Sequence, residues 1–102
     1  MIEEKVIQRL ESLWGDGLFF DNVRRGKFLD REGEDLIDVI KSLTIEEDDL
    51  VPKRLVSLLW YVPIFLEWQK GRVREINPAR SSAYDHFVTN VINQMEKALG
   101  VP

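Results

Sequence analysis

Two pairs of acids stand three residues apart in this chain, Glu32 with Asp35 and Glu46 with Asp49. On a helix, residues at that spacing share a face, so each pair could offer a divalent cation two oxygen ligands. The chemistry would be magnesium held by carboxylates, with the metal completing its shell from water and substrate phosphate. A calcium loop begun at Asp30 finds further acids at Glu32 and Glu34, but it fails where geometry matters. Asp35 occupies the position that needs glycine for the turn, and Lys41 occupies that of the bidentate acid. His86 is the only histidine and cysteine is absent. No cysteine–histidine zinc cluster, thiol nucleophile or cysteine–histidine pair can therefore be assembled. The residues supply no catalytic group, metal site or cofactor site that we would expect to find built.

The two acid pairs resemble the paired acidic motifs of the all-α nucleotide pyrophosphohydrolases, the MazG-like family. The resemblance covers these four positions alone, and it implies a magnesium-dependent nucleotide pyrophosphohydrolase as one alternative. In that family all four acids project from helices, whereas Glu46 and Asp49 stand here in a segment that reads as a connector.

Charge is distributed unevenly along the chain. From Asp30 to Asp49 nine acids face two bases, Arg31 and Lys41, and from Pro52 to Arg80 six bases face two acids, Glu67 and Glu75. An acidic stretch repels phosphate backbones and favours a basic partner, unless the two segments neutralise each other within the fold. Lys70, Arg72, Arg74 and Arg80 follow Trp68 and offer the better of two basic groups for phosphate, ahead of Arg24, Arg25 and Lys27. With a net charge of −4, however, nucleic acid is an unexpected partner.

The elements that must position these residues read as helices almost throughout. Ile2 to Trp14 forms a first helix with Ile2, Val6, Leu10, Leu13 and Trp14 on one stripe, stopped at Gly15. Leu18 to Arg25 adds a short helix ended by Gly26. Asp30 is placed to cap a helix from Arg31 to Leu43 whose inner stripe is Leu36, Val39, Ile40 and Leu43. Thr44 to Leu50 is an acidic connector, and Pro52 suits the first turn of the next helix, where its missing amide costs nothing. Pro63 predicts a kink in that helix and Gly71 its end. Arg72 to Arg80 reads as a basic connector. Ser81 or Ser82, with Asp85, reads as the capping box of a last helix carrying Tyr84, Val88, Val91, Met95 and Ala98 on one stripe. On the helical spacing His86 falls on the opposite, exposed side.

The segment from Leu55 to Trp68 carries the most information. Eleven of its fourteen residues are apolar, too short a run for a membrane span of about 20 residues. At 100° per residue, Leu55, Leu58, Leu59, Val62, Phe65 and Leu66 fall on one side, which is expected to be core. Trp60, Tyr61, Ile64 and Trp68 gather on the other. Either neighbouring helices sandwich this helix, or its second side meets a partner through residue types that dominate binding hot spots.

The expected fold class is all-α, a compact bundle of four to five helices around a central, proline-kinked apolar helix at about 52–70, in a single helical domain over 1–102. The expected function is a small, acidic, non-enzymatic protein-binding module. Trp60, Tyr61, Ile64, Trp68, Glu46, Glu47, Asp48 and Asp49 are its contact residues, and its partner is another, basic protein. Immunity proteins and antitoxins that neutralise basic toxins share this physical profile. A homo-oligomeric structural or regulatory domain, with the Trp60/Ile64 face as self-interface, is the alternative beside the hydrolase. The N-terminal Met-Ile-Glu-Glu-Lys lacks the apolar segment of a signal peptide and cysteine is absent, so the cytoplasm is the expected address.

Overall fold

The computed structural model describes residues 4–102. Six α-helices follow one another: α1 (Glu4–Leu13), α2 (Phe19–Arg24), α3 (Asp30–Lys41), α4 (Lys53–Trp68), α5 (Lys70–Ile76) and α6 (Ser81–Leu99), the last entered through a 3₁₀ turn at Pro78–Arg80. No strand occurs among the described residues, and no helix there is long and apolar enough to cross a membrane. The fold is an all-α bundle, as its periodicities predict.

Each long helix buries the stripe that the sequence marks. Leu36, Val39, Ile40 and Leu43 of the α3 segment are buried, joined by Ile37. All six residues of the inner side of α4 are buried, from Leu55 to Leu66. In α6, Tyr84, Val88, Val91 and Met95 are buried, while Ala98 is half-buried. α1 is rotated slightly from expectation: Ile7 and Leu10 form its buried pair, Val6 and Leu13 sit at the margin, and Ile2 lies outside the described residues.

The packing joins α6 to α3, α4 and α5, and α1 to α3 and α4. The molecule measures 43 × 29 × 19 Å. Its shortest dimension holds two layers of helices, whose axes pack about 8–10 Å apart. A helix in a two-layer body is covered on one side only, which leaves part of α4 open.

Glycine sets two close approaches. Gly26 ends α2 at a φ of +83°, a conformation costly for other residues, and a β-carbon there would stand 2.5 Å from Ile76 on α5. Gly33 lets α3 approach α6, since a β-carbon there would meet the Phe87 ring at 2.9 Å. Between α4 and α6 the buried Tyr84 hydroxyl donates to the Leu66 carbonyl at 2.7 Å. In the last turn of α4 this oxygen otherwise accepts only a long bond from the Gln69 amide, at 3.3 Å. Burial, followed by the nearby charges of Glu67 and Asp85, pushes the Tyr84 hydroxyl above its ordinary pKa.

Several helix ends differ from the sequence reading. Gly71 does not close the long apolar helix. The break falls at Gln69 (φ −87°, ψ −2°), and Gly71 lies within α5, so most of the expected basic connector is helical. Packing overrides glycine's low helix propensity there, because Val73 is fully buried. Asp30 does not cap α3. Leu29 holds the N-cap position, and Asp30 is the first helical residue, paired with Arg80. Neither Ser81 nor Ser82 caps α6, and Asp85 closes no capping box, because the 3₁₀ turn runs straight into the helix. α4 continues as one helix through Pro63.

Candidate functional site

Acids border α6 along one flank. Asp30, Glu34 and Asp38 recur every four residues on α3, so they form a single ridge. They edge an open groove of about 400 Å³ between α3 and α6, floored by Phe28, Ile37 and Phe87, with His86 and Asn90 on the far bank. His86 is exposed, as its place on α6 predicts. The chain then leaves α3 and runs as the acidic connector past the C-terminal end of α6, where Glu46, Glu47 and Asp49 share a second depression with Lys97 to Pro102.

The four connector acids play different parts. Asp49 folds back, its carboxylate accepting the Glu46 amide at 2.8 Å while its own amide donates to the Glu46 carbonyl at 3.0 Å. Asp49 therefore shapes the turn, while Glu46, Glu47 and Asp48 stay exposed to solvent.

The acidic and basic segments scarcely neutralise each other. Among the described residues one ion pair joins them, Asp30 with Arg80, whose guanidinium also lies 5.3 Å from the Phe28 ring centre. Lys70 pairs locally with Glu67 at 3.0 Å, and Arg54 reaches Glu11 at 2.9 Å. Glu34, Asp35, Asp38, Glu46, Glu47 and Asp48 form no ion pair among the described residues. Their charge is turned outward.

Arg24 and Arg25 are engaged by Asp21, at 3.0 and 3.3 Å. Among the described residues Asp21 is the one charged side chain in the buried set, 6% exposed. The Gly17 amide donates to it at 2.8 Å, and this bond, followed by Arg24 and Arg25, holds its carboxyl below the ordinary carboxylate pKa against the opposing effect of burial.

The second surface is the outer side of α4. Trp60 is 56% exposed and Trp68 69% exposed, while Tyr61 and Ile64 are half-buried. The helix is not sandwiched. Val56, 47% exposed, extends the same row one turn back. The sequence reading omitted it, although its place four residues before Trp60 is the available signal. Tyr61 roots the row in the core: its ring lies 5.5 Å from Trp60 and 6.0 Å from Trp68 on the outside, and 6.1 Å from Trp14 within. Trp14 in turn stacks on Phe20 at 3.8 Å. The two surfaces adjoin, since Leu99 and Gly100 line both the depression beside the connector and a smaller one that reaches Pro63 of α4.

The four acids of the paired motifs do not converge. Glu32 accepts a hydrogen bond from Asn22 at 3.0 Å, which ties α3 to α2, and Asp49 is spent on its own turn. Among the described residues no group of three or more acids and histidines is placed to hold a metal ion. The side chains thus do not fit the magnesium site that the resemblance implies. Comparison with protein-family models, curated proteins and solved structures finds no match for this chain.

Proposed function

We propose that the protein is a small, non-enzymatic helical module that binds a basic protein along the acid-lined flank of α6. One observation carries this reading. Eight of the nine acids of α3 and the connector, all but Asp30, have no ion-pair partner among the described residues, although the next segment is rich in bases. Like charges held together on a folded surface raise the local negative potential. That steers a basic partner into fast, salt-sensitive association. The groove over Phe28, Ile37 and Phe87 adds apolar area that such a partner can cover. Immunity proteins and antitoxins that neutralise basic toxins have this profile, and a cytoplasmic address is part of the proposal.

The reading expects a basic protein to be encoded beside this gene, and that protein is the test partner. Its association rate should fall steeply with salt. Reversing Glu46, Glu47 and Asp48 to lysine should slow association at low ionic strength while leaving the thermal melt unchanged. Equal rates for the two forms at low salt would remove the connector from the interface.

A further inference from the structure

Val56, Trp60, Ile64 and Trp68 follow one another at four-residue intervals, so they form a single ridge ~18 Å long on the open side of α4. We propose that this ridge is the contact face of a homodimer in which two copies of α4 cross antiparallel, with Trp60 on the two-fold axis.

Self-complementarity about Trp60 is the ground for a second copy as occupant. In an isologous interface, if one residue meets another, the reverse contact must also form. Centred on Trp60, Val56 of one copy stands level with Ile64 of the other, Pro52 with Trp68, and Lys53 with Glu67. Each pairing joins groups that attract: aliphatic on aliphatic, indole on proline ring, ammonium beside carboxylate. Pro52, Lys53 and Glu67 are all exposed, and Lys53 of the second copy would join the pair that Glu67 already makes with Lys70 at 3.0 Å. A parallel pair would instead set Lys53 against Lys53 and Glu67 against Glu67. An antiparallel pair centred two residues later would bring Arg54 level with Lys70.

Size sets the strength. At ~250 Å² for a whole indole side chain, Trp60 and Trp68 together expose roughly 300 Å² per copy. A standard interface buries about 800 Å² per partner, so the dimer is a concentration-dependent one. No acid of α3 or the connector is among the paired positions, and the dimer does not depend on the partner-binding reading.

Sedimentation equilibrium from micromolar to millimolar protein tests it. The expected result is a monomer–dimer equilibrium whose dissociation constant rises about tenfold or more in Trp60→Ala, with an unchanged thermal melt. Lys53→Glu and Glu67→Lys should each weaken the dimer, and the double variant should recover it. A chain that stays monomeric throughout, or a dimer indifferent to Trp60→Ala, overturns the proposal. Failure of the double variant to recover overturns the antiparallel arrangement.

Discussion

The carboxylate of Asp21 accepts hydrogen bonds from the Gly17 amide and the Arg24 guanidinium and lies in an ion pair with Arg25, so its charged form is worth more in the folded chain than in the unfolded one. A carboxyl whose folded pKa is depressed contributes stability above its unfolded pKa and loses it as pH falls through the folded value. The stability from Asp21 is therefore fully present above about pH 4 and disappears below it. Asp21→Asn should lower stability at neutral pH and flatten the acid limb of a stability–pH curve followed by chemical denaturation. An acid limb as steep as in the parent chain would show that other carboxylates cause it. Nothing in the local sequence marks Asp21 for this role. Its partner amide belongs to Gly17, four residues back, in a turn that the glycine makes at a φ of +72°, and such a contact exists only once the turn is folded. The same holds for Asp30, which the sequence offers as a cap. The approach of α6 gives it Arg80 instead.

At the scale of the element, α4 carries two kinds of apolar residue that composition cannot tell apart. Leu59 and Val62 are 2% and 0% exposed, so truncating either to alanine should cost about 2–4 kcal/mol through the cavity left behind. Trp68 is larger, yet mostly exposed, and Trp68→Ala should cost under about 1 kcal/mol, since surface changes away from packed features cost little. Thermal melts of the three variants decide the matter. A loss for Trp68→Ala as large as that for Leu59→Ala would mean that the outer side is covered. The inner side of α4 was legible because its six residues keep a helical spacing, and the same geometry separates off Trp60, Ile64 and Trp68. Whether that outer side is covered was not legible, since it depends on how many layers the bundle stacks. The break at Gln69 was equally hidden. Glutamine is a good helix former and glycine a poor one, so propensity points at Gly71, while the docking of Val73 keeps Gly71 helical.

Over the whole molecule, the outward acids are a strain that the fold does not relieve. Asp38 stands four residues after Glu34 and three after Asp35, and like charges at these spacings destabilise a helix by roughly 0.2–0.5 kcal/mol per pair. It also lies in the last third of α3, toward the helix end where the macrodipole favours a cation. Asp38→Lys turns both repulsions into attractions and places a positive charge on the favoured end, against one new like-charge spacing with Lys41 three residues on. The variant should gain roughly 0.3–0.5 kcal/mol, which for a chain this size raises the melting temperature by about 1–4 °C. If the acid bank exists to meet a basic partner, the same change should slow association with that partner at low salt. Stability and binding would then move in opposite directions from a single substitution. That opposition is what separates a functional charge surface from a merely solvated one, because a solvated face has no reason to keep a destabilising charge. A variant that melts higher and binds as fast as the parent would show that Asp38 serves no partner, and one that melts lower would assign it a structural contact instead.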